Sequence, residues 1–214
     1  MHQMNRRYDL VRSELRSYGD LFPNESPRHC ALNRWLSGYE RAGQNAEAVF
    51  ARSNMTGHIT ASLLLFDAAH QNVLVIHHKL YDKWLQMGGH IDPDDLDAFL
   101  AAVREACEEA GVPDASYIRR LAFAGGPLDI DSHTIRANPR KNEAEHYHHD
   151  FMYVAELVKG FVLSPLATEV HGARWMPRSE LRQLGDPRMS RIADKIDAFF
   201  PASTAAQAAF EVAR

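Results

Sequence analysis

Apolar residues recur at helical spacing early in the chain and alternate or cluster as strands later. Over residues 4–17, with Tyr8, Leu10, Val11, Leu15 and Tyr18 on one side, the pattern predicts an amphipathic helix. Residues 21–27, with Pro23 and Pro27, break it. A second helix is predicted over 28–39, with Leu32, Trp35 and Leu36 on one face, and a third over about 46–53. The character then changes. Residues 58–67 and 73–78 are apolar strands joined by a turn at 68–72, a hairpin, and 84–87 is a short strand. Further strands are predicted at 121–123, 128–135 and 146–157, with a polar loop at 136–145. A last helix at 189–200, carrying Ile192, Ile196, Phe199 and Phe200, completes the pattern. The expected organisation is a helical N-terminal extension over 1–54, an α+β domain over 55–200, and a tail over 201–214.

Between the short strand and the later strands lies the most informative stretch. It reads as two glycines (Gly88, Gly89), His90, an acidic turn (Asp92, Asp94, Asp95), then a helix from Leu96 to Ala110 stopped by Gly111. Asp94 is the expected cap, with Asp97 completing an imperfect capping box, and Gly111 suits the position just beyond the last turn. Leu96, Phe99, Leu100, Val103, Cys107 and Ala110 form the apolar stripe, and Glu105, Glu108 and Glu109 are expected opposite it. At i, i+3 and i+4 their Cβ atoms are neighbours, roughly 5–6 Å apart. Clustered carboxylates repel. A hard cation such as Mg²⁺, which takes oxygen ligands and keeps several waters, compensates them well. For the glutamates alone, a solvated acidic face is the simpler account.

The flanking residues change that balance. The stretch resembles the Nudix box, which runs Gly, five residues, Glu, seven residues, then Arg-Glu-apolar-any-Glu-Glu-any-Gly-apolar. Gly89 matches its first position, and Arg104, Glu105, Ala106, Glu108, Glu109, Gly111 and Val112 match its second half. Two departures stand out: Asp95 replaces the first Glu, and the interval from Asp95 to Arg104 is one residue longer. Asp95, Asp94 and Asp97 all remain candidates for the missing Glu.

The resemblance implies a Nudix-type α/β/α sandwich with a mixed β-sheet, here with the helical extension added; residues 170–177 and 179–181 resemble the strand and short helix that end many Nudix domains. It implies a metal-dependent hydrolase that cleaves a pyrophosphate bond in a nucleoside diphosphate linked to another group, with Mg²⁺ (or Mn²⁺) as cofactor. On that reading Glu108 and Glu109 are metal ligands, Glu105 is a ligand or base, and Arg104 orients a carboxylate. Gly88 and Gly89 let backbone approach the site, and His90, His146 and His148 are the candidate substrate-binding histidines. A non-catalytic Nudix-fold nucleotide-binding or sensor module is the alternative, though the Glu cluster is intact. A Nudix-like isomerase ranks below both, because its catalytic cysteine has no equivalent in this chain.

Composition narrows the partners. The chain has 214 residues, 45% hydrophobic, with a formal net charge of −4, which argues against broad nucleic-acid binding. It contains no apolar run of the length, about 18 residues, that a spanning helix needs. The opening residues show no apolar signal core, and Cys30 and Cys107 make no disulfide framework, so a cytoplasmic location is expected. The apolar stripe of the extension is expected to pack on the domain or in a homodimer interface. Histidine is frequent, at 12. On a strand His146, His148 and Asp150 share one face and His149 takes the other; by residue type the three could hold a transition metal, line a pocket, or be solvated. His77, His78 and His90 flank the glycines. No serine sits in a nucleophile elbow, and no Gly-Lys-Ser/Thr phosphate loop is present.

Overall fold

Strands that are apolar at nearly every position belong inside a sheet, covered on both faces. His58–Phe66 (β1) is buried along its whole length, and so is the run 149–157 of His146–Leu157 (β7). The computed structural model describes residues 6–121, 126–139 and 142–200. The other strands are Asn72–His78 (β2), Lys83–Leu85 (β3), Met87–His90 (β4), Ile118–Arg120 (β5), Asp129–Ile135 (β6) and Val170–Pro177 (β8). The helices are Arg6–Leu21 (α1), Ser26–Arg41 (α2), Ala98–Ala110 (α3) and Pro187–Phe199 (α4). The eight strands form one mixed sheet in the order β3-β2-β1-β7-β5, with β4 beside β1, β6 beside β7 and β8 beside β2, and helices flank it.

The chain divides into two units. The first comprises residues 1–62, 88–102 and 122–153. In it the stripe of α1 is buried at Tyr8, Val11, Leu15 and Tyr18, and that of α2 at Leu32 and Leu36. Both helices pack on β6. The Tyr153 hydroxyl donates to Glu14 at 2.6 Å, and the Tyr18 hydroxyl donates to Asp129 at 3.4 Å and also to Glu25. The stripe is thus buried within its own chain and needs no second copy to cover it. Arg7 reaches from α1 to the acidic turn, where Nη1 donates to the carbonyls of Asp92 at 2.6 Å and Asp95 at 3.1 Å. β6 and β7 pair antiparallel, with His133 opposite His148 and Ile135 opposite His146.

The second unit comprises residues 63–87, 103–121 and 154–214. β2 pairs antiparallel with the end of β1, with β3 and with β8. β5 pairs antiparallel with the end of β7. Asp186 caps α4 by accepting from the Arg188 amide at 2.7 Å, and Arg178 ties the preceding 3-10 turn to α4 through Asp197 at 2.7 Å.

Several sequence expectations are corrected. Leu10 is exposed rather than part of the buried stripe. The third helix reduces to one 3-10 turn, Ala46–Val49, begun by the Asn45 side chain accepting from Glu47 N. The predicted strand at 84–87 is two, β3 and β4, separated at Gln86. The strand expected at 121–123 is observed at Ile118–Arg120; Leu121 still donates to Val154 O at 3.1 Å, and residues 122 and 123 lie outside the described residues, as do Arg140 and the tail 201–214. The helix expected from Leu96 starts at Ala98, because Asp97, not Asp94, is its cap: the Asp97 side chain accepts from Leu100 N at 2.8 Å. Leu96 therefore stays outside the helix, 69% exposed.

Candidate active site

Gly88 serves close packing. A Cβ on Gly88 would lie 2.6 Å from the Ala61 carbonyl oxygen and from Ser62 Cβ, so only glycine lets β4 lie this close to β1. Gly89 and His90 follow, both half-buried. The acidic turn then closes on itself. The Asp95 carboxylate accepts from Asp92 N at 2.8 Å, and Asp95 N donates to Asp92 O at 3.1 Å. α3 runs unbroken from Ala98. The residue that this chain has in excess of the Nudix pattern is therefore accommodated in the turn.

In the second unit, α3 presents the carboxylates. Arg104 Nη1 donates to Glu105 Oε1 at 3.1 Å and to Glu108 Oε2 at 3.2 Å, binding the two acids through one guanidinium. The Glu108 side chain is 51% exposed and that of Glu105 13%. Glu109 is buried, which corrects the expectation that all three glutamates lie opposite the core. The buried positions of α3 are Ala98, Ala101, Ala102, Val103, Ala106 and Ala110, whereas Leu100 and Cys107 are at least partly accessible. Alanine signals neither face in a sequence, yet a row of alanines buries backbone closely. Glu109, three residues after Ala106 and seven after Ala102, borders that row. Burial pushes the Glu105 carboxyl up to about 7; Arg104 opposes the shift, and the charges of Glu108 and Glu169 add to it. At the end of the helix Gly111 has φ +73°, and its N donates to Cys107 O at 3.1 Å, as the expected stop requires. A Cβ there would sit 2.3 Å from the Ser164 carbonyl oxygen.

These acids suit a hard cation in donor type, since all are carboxylates and burial has left Glu105 short of compensating charge. Their donor atoms are not gathered into a triad. Among the described residues, the three-membered groups with mutually close donor atoms are His58, His90, His148 and His77, Asp82, His171.

The first of those groups belongs to the first unit. The His58, His90 and His148 nitrogens lie within 4.8 Å of one another, and His146 Nε2 is 3.4 Å from His148 Nε2. The structure thus brings together His90, His146 and His148, the histidines that the sequence singles out, and adds His58. Sequence reasoning misses His58, which reads only as the first residue of an apolar strand. Its one signal is that of a further histidine at a strand end. Burial lowers the pKa of all three members of the group, with mutual repulsion adding to it; His90 falls to about 4 and His148 to about 2. They are neutral at physiological pH. Asp150, which shares a strand face with His146 and His148, accepts from the Thr60 and Ser62 hydroxyls at 3.1 and 2.6 Å. His149 takes the other face as expected, with Nδ1 2.8 Å from Ser132 Oγ and its ring 4.6 Å from that of Trp35. In the second unit His77 lies against Trp84 and His171, and His78 against Tyr81.

With this geometry in hand, comparison with known proteins is decisive at the level of family. The sequence pattern of the NUDIX domain matches residues 56–196, well over half of the chain. The chain belongs to that family. Among solved structures, an Ap4A hydrolase from C. elegans in a binary complex is similar at 18% identity and TM-score 0.50, over 66% of this chain and 96% of that one. A NUDIX-family hydrolase from Clostridium perfringens is 25% identical with TM-score 0.46, over 66% and 97%. The dihydroneopterin triphosphate pyrophosphohydrolase of E. coli is 15% identical with TM-score 0.49, over 66% and 93%. The first of these supports the fold. No curated relative matches the sequence.

Proposed function

We propose that this Nudix hydrolase cleaves the pyrophosphate bond of a nucleoside diphosphate linked to another group, with Mg²⁺ or Mn²⁺ held on α3. The observation that carries the reading is the Arg104–Glu105–Glu108 cluster, in which one guanidinium aligns two acids on adjacent turns. Glu108 and Glu109 are the proposed ligands. Glu105, with its carboxyl near neutrality, is suited to be a ligand or to take a proton from water. Arg104 holds the carboxylates in position. When bound there, the cation offsets phosphate charge and makes a water more acidic. The proposed substrate is a small nucleotide or other diphosphate. No helix among the described residues is long and apolar enough to cross a membrane. Both cysteines are free, Cys30 on the surface, which supports a reducing cytoplasm as the location.

The test is a panel of nucleotide sugars, dinucleotides, ADP-ribose and nucleoside triphosphates with Mg²⁺, with product release and metal titration followed for wild type, Glu108→Gln and Glu109→Gln. Turnover of one panel member that collapses in both variants is expected. Full activity in both removes the α3 carboxylates from the reaction.

A further inference from the structure

We propose that His58, His90 and His148, with His146 as a fourth imidazole, form a site for a late first-row transition-metal cation of the Zn²⁺ type, built from different residues than the acidic face of α3.

The donors come from three strands: His58 opens β1, His90 closes β4, and His146 and His148 stand two apart on one face of β7. Their nitrogens already converge, within 4.8 Å for the first three and at 3.4 Å between the Nε2 atoms of His146 and His148. The tautomers follow from their other contacts. His58 Nδ1 is 3.3 Å from the Asn54 carbonyl oxygen, and His146 Nδ1 is 2.7 Å from that of Ala144. A carbonyl only accepts, so in each ring Nδ1 carries the proton and Nε2 is an acceptor; that of His146 accepts from His148 Nε2 at 3.4 Å, a proton that a bound cation would displace. This is the arrangement that metal-ligating histidines show, the second ring nitrogen donating to backbone. His58 is fully buried, and its Nε2 has no hydrogen-bond partner. Leaving a buried acceptor unsatisfied costs stability, because its hydration is lost without replacement. A cation at the centre of the cluster removes that cost.

The chemistry selects the ligand. Bound phosphate needs donors or positive charge, whereas the His58 and His146 Nε2 atoms are acceptors, their rings carrying the proton on Nδ1. Neutral imidazole suits Zn²⁺, Cu²⁺ and Ni²⁺, and Mg²⁺ prefers oxygen. Asp150, engaged by Thr60 and Ser62, is not one of the proposed donors. His90, His146 and His148 thereby hold a metal in place of direct phosphate contact.

The experiment uses untagged full-length protein, stripped with chelator and titrated with Co²⁺ and then Zn²⁺ in excess Mg²⁺. One Co²⁺ per chain with visible ligand-field bands, displaced by Zn²⁺, is expected. X-ray absorption of the Zn²⁺-loaded wild type should show at least three imidazole nitrogens at about 2.0–2.1 Å. His148→Gln and His90→Gln should weaken Zn²⁺ binding by more than the roughly 10–100-fold that loss of an outer-shell partner costs. Glu105→Gln should leave it unchanged. A spectrum with fewer than three imidazoles, binding abolished by Glu105→Gln, or binding unaffected by His148→Gln overturns the site. The wild-type spectrum decides the matter even where a variant does not fold. Hydrolysis with Mg²⁺ is measured separately, so failure here is distinguishable from failure of the proposed reaction.

Discussion

Glu105, Glu108 and Glu109 occupy little more than one turn of a single helix, whereas His58, His90, His146 and His148 are drawn from three strands. Both groups crowd titratable side chains away from water, and they meet the cost in opposite ways. The acidic group keeps charge where it can, through Arg104 and the exposure of Glu108, and where burial prevails Glu105 titrates near 7. The histidine group avoids charge: burial and mutual repulsion hold His90 and His148 neutral far below their ordinary pKa. A hard divalent cation relieves the first by supplying positive charge. A softer cation relieves the second by accepting lone pairs.

The largest expected effect lies in turnover. Glu108→Gln should lower it by at least about 100-fold, since a lost ligand forfeits several kcal/mol of transition-state stabilisation. His148→Gln should leave the Mg²⁺ concentration for half-maximal turnover unmoved. A shift in that concentration would mean that the carboxylates and the imidazoles serve one metal site, not two. Next is Gly111→Ala, which combines a left-handed backbone with a Cβ placed 2.3 Å from Ser164 O. A loss of about 3 kcal/mol in denaturant unfolding is expected. A small loss would mean that the end of the acidic helix is not set there.

Stability against pH then separates the regions by sign. For Glu105 the folded pKa is about 7 against an ordinary 4.5, so between those values the folded state holds a proton that the unfolded chain has lost. Stability from this group falls as pH rises through that window. In chelator, Glu105→Gln should therefore stabilise the protein by about 2 kcal/mol at pH 8 and not at pH 4. His90 and His148 are lowered from 6.5 to about 4 and about 2, so below pH 6.5 it is the unfolded chain that gains protons. Stability from them is complete above pH 6.5 and lost as pH falls. Wild-type protein should thus be acid-labile, and His148→Gln should flatten the decline between pH 6.5 and 4. A decline as steep in His148→Gln as in wild type would remove the histidines as its cause. The smallest effect is that of Glu108→Gln on unfolding, within about ±0.5 kcal/mol, because the side chain is half exposed. A larger change would make Glu108 structural and blur the contrast with the buried Glu109.

What the sequence determined by itself is what depends on neighbours along the chain. Helical spacing placed Tyr8, Val11, Leu15 and Tyr18 on one buried face, and the largely apolar run 151–157 marked the buried part of β7. The spacing alone put Glu108 within reach of both Arg104 and Glu105, because residues three and four apart are neighbours on any α-helix. Tertiary structure decided what depends on distant partners. Leu96 has the pattern of a core residue and is exposed, while a row of alanines is buried, since Asp97 rather than Asp94 starts the helix and small residues carry little periodic signal. Glu109 has the pattern of a solvated residue and is buried, because it borders that row. The histidine cluster joins residue 58 to residues 90, 146 and 148. Its members are separated along the chain by intervals that no local period encodes, and only strand pairing brings their nitrogens together.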